Sequence, residues 1–185
     1  FTAGLVSYHP FNGNANDESG YGHHGTTSGA SLSTDRFGVA SKAYNFNGTN
    51  DYIELEDSAR HLNFNVLNQG YTVSCWAKLD SLPSQHHTLI LDRGTGTSQP
   101  LSFYIDYKGT VQKFVAGAYD VPTNILVPSQ TTPNVGTWYH LVMVANTQEI
   151  VLYVNGIREQ GPPIGSDSNG PIPGGYKSTI NTETK

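Results

Sequence analysis

Trp138-Tyr-His-Leu-Val-Met-Val-Ala145, followed by Glu149-Ile-Val-Leu-Tyr-Val-Asn-Gly156, is the stretch whose reading decides the fold. Most residues in both runs are β-branched, aromatic or otherwise apolar, a composition that fits a pleated, packed surface better than a helix. Asn146 to Glu149 between them are polar and suit a short connection. Asn155-Gly156 ends the second run, and this pair tolerates the positive φ angles that a tight turn demands. The two runs read as an antiparallel hairpin, which points to an antiparallel all-β chain.

Working outward, Gly4-Leu-Val-Ser-Tyr-His-Pro-Phe11 reads as a first strand stopped by Asn12-Gly13. Asn12 to Ser31 reads as one long polar loop, and a loop of that length in a compact domain is usually functional or pinned. Ala43 to Asn47 and Asp51 to Leu55 read as strands around Gly48-Thr49-Asn50. Their alternation places Tyr44 and Phe46 on one face, and Tyr52 and Glu54 opposite Ile53 and Leu55. Asp57 to Asn68 is either one helical turn or an irregular loop. Tyr71 to Leu79, Thr88 to Asp92, Leu101 to Tyr107 and Val111 to Tyr119 are further strands. No stretch sustains helical periodicity over three turns, and no repeat recurs at a fixed period. Beyond Gly156, Gly161-Pro-Pro-Ile-Gly165 and Asn169-Gly-Pro-Ile-Pro-Gly-Gly175 cannot support a central strand, so only Lys177 to Thr182 could add one. The expected organisation is a sandwich domain over residues 1–160 and a Pro/Gly-rich segment over 161–185.

Composition narrows the classes of function. With 185 residues the chain is long enough for one two-layer core. Charged residues make up 14%, against 20 glycines and 11 tyrosines, a balance found in loop-rich β-proteins. The net charge of -5 comes with no basic stripe to displace counterions, which argues against nucleic acid. An anionic membrane surface is disfavoured for the same reason, and no apolar run approaches the length of a membrane span. Cys75 is the single cysteine, so no intrachain disulfide can form. It alternates with Val73 and Ala77 and reads as a small buried hydrophobe, with nothing nearby to activate the thiol.

Four pieces in order carry a family resemblance. Gly4-Leu-Val-Ser-Tyr-His-Pro-Phe-Asn-Gly-Asn-Ala-Asn-Asp-Glu-Ser-Gly20, Ala43-Tyr-Asn-Phe-Asn-Gly-Thr-Asn-Asp-Tyr-Ile53, Tyr71-Thr-Val-Ser-Cys-Trp-Ala-Lys78, and Trp138-Tyr-His-Leu-Val142 with Leu152-Tyr-Val-Asn-Gly156 span most of the chain. Together they resemble bacterial laminin G-like, concanavalin A-like jelly-roll domains. The resemblance implies two stacked, curved antiparallel sheets with a concave face. It also implies a secreted protein, a module attached to glycan-degrading enzymes or adhesins, and, in many members, bound carbohydrate and a calcium ion. Such domains usually finish with another strand pair containing Asp-Asp or Asp-Glu, and nothing after Gly156 matches it. The expectation is a sandwich without its final strands in a chain that continues beyond Lys185. Its open sheet edge would pair with a C-terminal segment or another chain.

The resemblance places Asp17 near the calcium ion, and the loop around it supplies Asn12, Asn14, Asn16, Glu18 and Ser19 as further oxygen donors. Asn47, Asn50 and Asp51 lie in a turn that could approach the same point, so the expected metal set is Asp17, Asn47 and Asp51. An ordinary solvated Asx-turn loop explains the same residues. His23-His24 and His86-His87 do not read as transition-metal ligands, because adjacent residues in an extended strand point to opposite faces. The Glu-x-Asp-x-x-Glu pattern of glycosidases on related sandwiches is absent, as are Gly-x-Ser-x-Gly and any lyase motif. Glu54 and Glu56 share a face, but strand-end carboxylates of this kind are ordinarily just solvated.

Sugar binding needs aromatic rings to stack on a pyranose and polar side chains to bond its hydroxyls. The rings available are Trp76, Tyr104, Tyr107, Tyr119 and Trp138, although both tryptophans also suit core or rim positions. The expected ligand set is Trp76, Arg93, Gln99, Tyr104, Asp106 and Tyr107, with Tyr104, Asp106 and the 93–100 loop as variable surface. The reading is a non-catalytic carbohydrate-binding or adhesion module, stabilised by calcium, of a larger secreted bacterial protein. A glycan-active hydrolase or lyase and a ligand-free spacer are the alternatives.

Overall fold

The computed structural model describes residues 4–56, 62, 70–91, 102–120, 123–145, 149–159 and 179–180. Within them the strands are β1 Gly25–Ser28, β2 Ser31–Ser33, β3 Ala43–Asn45, β4 Tyr52–Leu55, β5 Tyr71–Lys78, β6 His86–Leu91, β7 Ser102–Lys108, β8 Lys113–Asp120, β9 Thr123–Pro128, β10 Trp138–Ala145, β11 Ile150–Val154, β12 Ile157–Glu159 and β13 Thr179–Ile180. The described residues contain no helix, and every ladder between these strands is antiparallel.

The deciding hairpin is β10 and β11, in register from Leu141↔Val154 to Ala145↔Ile150. Its period-2 pattern is realised: Tyr139, Leu141, Met143 and Ala145 are buried, while Trp138, His140, Val142 and Val144 are half-buried. Asn155 and Gly156 both take positive φ, 51° and 78°, and turn the chain into β12. With β5 on the other side of β10 this makes a four-stranded sheet, β12-β11-β10-β5. The facing sheet has seven strands in the order β1-β4-β13-β6-β7-β8-β9.

Between the two sheets lies the main core. Leu141, Met143 and Leu152 from the smaller sheet meet Phe103, Ile105 and Phe114 from the larger. The rings of Phe114 and Tyr139 touch edge-on with centroids 5.2 Å apart. A bulge between Thr88 and Ile90 lets both Leu89 and Ile90 reach this core, so Thr88 and Leu91 turn to the other face. A second cluster of Ala15, Tyr44, Phe46, Ile53, Leu55 and Leu62 packs separately, drawing on β3 and β4.

Several expectations are corrected here. Gly4 to Phe11 forms no ladder, because its backbone bonds to the 17–19 turn: Glu18 N–H donates to Tyr8 O at 2.8 Å. The long loop from Asn12 to Ser31 contains β1, a strand poor in apolar residues because both Thr26 and Thr27 are exposed. β3 and β4 do not form a hairpin; β3 pairs with β2, whereas β4 enters the seven-stranded sheet. β9 ends at Pro128, which masked it as a strand in sequence. Within Lys177 to Thr182, Thr179–Ile180 does form a strand, β13, between β4 and β6. Most of Asp57 to Asn68 lies outside the described residues.

Candidate functional site

The expected ligand and metal residues fall in different layers of the sandwich. Asp17 is buried in the turn after the first extended segment, and both its oxygens are filled by the protein. Tyr8 N–H and Ser19 N–H donate to Oδ1, each at 2.9 Å. Ser19 Oγ–H and His23 N–H donate to Oδ2 at 2.7 and 3.0 Å. Burial opposes the charge, but the hydrogen bonds outweigh it and hold the carboxyl well below the usual carboxylate range. His24 Nδ1 completes the clasp by accepting Asp17 N–H at 3.2 Å.

Asn47 is the centre of a second closed turn. Its Oδ1 accepts N–H from Thr49, Asn50 and Asp51 at 2.8, 3.0 and 3.3 Å, and Asp51 Oδ2 accepts Asn47 N–H at 2.9 Å. A calcium ion needs lone pairs directed at it, and those of Asp17 and Asn47 are directed at N–H and O–H donors. Among the described residues no three His, Cys, Asp or Glu side chains are grouped to hold a metal ion. Asp17, Asn47 and Asp51 therefore do not fit calcium; they fit two Asx-type turns.

Trp76 is 39% exposed on the outer face of the four-stranded sheet. Its ring is already engaged: His140 stacks on it at 4.9 Å and the Arg36 guanidinium sits 4.4 Å from its centroid. Arg36 also lies 4.2 Å from the ring of Phe37, and Ser74 Oγ bonds His140 Nε2 at 2.8 Å. Burial, with Arg36 adding to it, lowers the pKa of His140. This ladder fastens the 34–42 turn to the sheet, a role that Arg36 alone in sequence did not signal.

Tyr107 belongs to neither surface. Its ring is fully buried in the main core, and its hydroxyl is buried without a hydrogen-bond partner among the described residues. It follows Phe103 and Ile105 in the inward alternation of β7, so it is not available to stack on a sugar. Arg93 and Gln99 lie outside the described residues.

Tyr104 and Asp106 alternate with these core residues and so face outward from the seven-stranded sheet. One row across that face runs Leu91, Tyr104, Gly117, Leu126; the next runs Thr88, Asp106, Val115, Pro128; the third runs His86, Lys108, Lys113. Leu91, Tyr104, Val115 and Leu126 form a small apolar cluster of their own. The expectation of an exposed variable surface is corrected at its centre, since Tyr104 and Asp106 are only 5% and 7% exposed.

Asp106 is the outlier of the molecule. Its Oδ1 is buried without a partner, while Thr88 bonds the carboxyl and Lys108 lies close enough to act on its charge. Desolvation dominates both, and the carboxyl is pushed up to about 7. A buried, unsatisfied carboxyl flanked by a hydroxyl, an ammonium and an apolar row is a hydrogen-bonding centre poised for a polar ligand. Cys75, by contrast, has its thiol pushed up to about 12 by burial, in keeping with an inert small hydrophobe.

Sequence reasoning missed Glu159, a buried carboxylate at the end of β12. It accepts Gln130 N–H at 2.6 Å and Thr131 N–H at 3.3 Å, tying the 129–132 turn to the smaller sheet. Only its inward phase in a three-residue strand could have signalled this, and that strand is too short to show a period.

Residues 47–179 match the laminin G-type family model described as the concanavalin A-like lectin/glucanases superfamily. Among solved structures, the chain resembles domain 4 of AbnA, a GH43 extracellular arabinanase from Geobacillus stearothermophilus, solved in complex with arabinotriose. The two share 19% identity and superpose with a TM-score of 0.58, covering 97% of this chain and 78% of that one. No curated protein matches the sequence.

Proposed function

This chain belongs to the concanavalin A-like lectin/glucanase superfamily, and from that premise we propose that it is a non-catalytic carbohydrate-binding or adhesion module of a larger secreted protein. The observation that carries the reading is Asp106, whose unpartnered oxygen stands beside Tyr104 on the outer face of the seven-stranded sheet. A sugar presents hydroxyl donors to such an acceptor and an apolar ring face to the Leu91, Tyr104, Val115 and Leu126 cluster. Asp106 is shielded in the free protein, so ligand entry has to uncover it. The arabinotriose bound by domain 4 of AbnA makes arabino-oligosaccharides the first probes to try.

One observation favours an enzyme: a carboxyl raised to about 7 suits a general acid. Glycoside hydrolysis needs a second carboxylate about 5 to 10 Å away. Glu54 shares the face, but β13 and β6 lie between its strand and β7, which sets it about 14 Å off across the sheet. Binding without turnover is therefore the better reading.

The test is a glycan array followed by titration calorimetry with arabinotriose on the wild type and on Asp106→Asn. Specific binding that weakens roughly tenfold in the variant, with no product on prolonged incubation, supports the module. Product formation would establish the enzyme. Binding unaffected by the substitution would move the site elsewhere, and silence across the array with intact folding would leave a spacer.

A further inference from the structure

The two sheets differ in how their edges are defended. β1 has four residues, β12 has three and carries Arg158 and Glu159, and β9 ends in Pro128. Short length, charge and proline each discourage a further strand from pairing. β5 is different. It is an eight-residue edge with no proline, no bulge against β10, and only Lys78, at its end, charged. Among the described residues its ladder partners lie on the β10 side alone.

The packing is unfinished at the same edge. The inward residues of β10 (Tyr139, Leu141, Met143 and Ala145) are all buried, whereas Tyr71, Val73 and Cys75 of β5 face the same core and are only half-buried. Outward, Thr72, Ser74 and Trp76 are exposed. The edge therefore offers free backbone groups, an apolar inner row short of cover, and a neutral outer row.

We propose that β5 pairs antiparallel with β5 of a second copy of this chain about a two-fold axis through Ser74, joining two four-stranded sheets into one of eight strands. This register keeps each face matched, as residues opposed in an antiparallel pair share a face. Tyr71 meets Ala77 and Val73 meets Cys75 on the inner face, large against small, while Trp76 stands opposite Thr72 on the outer. Lys78 falls beyond the paired stretch, so no like charges oppose one another. A two-fold contact needs a self-complementary surface, and this strand provides one in parity, volume and charge.

Ser74 gives the test, because it is exposed and would face its own copy. Sedimentation velocity over a range of concentrations should show a monomer–dimer equilibrium for the wild type. Ser74→Lys and Ser74→Asp each place like charges in direct opposition and should weaken the dimer by roughly tenfold or more. Mixing the two variants should restore dimerisation as a heterodimer. Circular dichroism on each variant confirms that the sandwich is intact. A chain that stays monomeric at every concentration overturns the proposal. So does a dimer indifferent to the charges at Ser74, or variants that fail to complement each other.

Discussion

Replacing Asp106 with Asn should stabilise the protein above neutral pH while weakening its ligand affinity. The carboxyl sits at about 7 in the folded chain against 3.8 unperturbed, a shift of about three units or ~4 kcal/mol. The sign follows from which state holds the proton. Between about pH 4 and 7 the folded chain binds it and the unfolded chain does not, so stability falls as pH rises through that window and levels off above 7. Asn removes the charge and flattens this contribution. It leaves a cost, since its amide N–H groups meet the site where Oδ1 already lacks a partner, worth about 1–3 kcal/mol. The net gain at pH 8 is therefore about 1–3 kcal/mol, or roughly 2–10 °C in melting temperature for a chain of this size. Calorimetry or urea unfolding at intervals from pH 5 to 8.5 measures the difference between variant and wild type. A variant less stable than wild type at pH 8, or a difference that does not grow between pH 5 and 7, would refute the reasoning.

Asp17→Asn should cost about 2–4 kcal/mol at pH 7, because a charged acceptor of four hydrogen bonds becomes a neutral one with a single oxygen. The depressed wild-type carboxyl contributes stability above about pH 4 that is lost as acid protonates it, and acid unfolding curves should show that loss only in the wild type. Calcium and chelator should leave the wild-type melting temperature unchanged, and a rise with calcium would restore a metal to the fold. Tyr107→Phe removes a buried hydroxyl that has no partner, so unfolding should show it neutral or slightly stabilised rather than damaged. Gly25→Ala should lose about 1–3 kcal/mol in the same assay, since a Cβ there would stand 2.6 Å from Ile53 Cγ2 and 2.8 Å from Ala15 O.

The fold was legible where the period was clean. Trp138 to Gly156 and Tyr71 to Leu79 alternate over eight residues or reach a positive-φ pair, and both stand as read. Legibility failed where backbone bonds go to side chains instead of ladders. Leu5 to Phe11 has the alternation of a strand, but Asp17 and the 17–19 turn hold its backbone. It failed again at β1, whose threonines and serine look like loop because little of that strand is buried. For the site, residue type was informative but depth was not. Asp106 and Tyr107 are adjacent, and a one-residue step in a strand separates an outward carboxyl from a ring in the core. The bulge at Thr88 then sets which of its neighbours joins Asp106, a local irregularity that composition does not encode.

Two carboxylates of this chain illustrate how function and scaffold part company. Asp17 and Asp106 are equally shielded, both 7% exposed, and sequence reasoning assigned each a ligand. Asp17 meets four donors, and its acidity is strengthened; a ligand there would have to displace bonds worth more than it could supply. Asp106 leaves one oxygen unmet and its acidity weakened, so it destabilises the free protein at neutral pH. A group that costs stability in isolation is relieved only by a partner that the chain does not itself supply. That asymmetry, rather than carboxylate content or loop composition, is what selects the outer face of the seven-stranded sheet as the binding face.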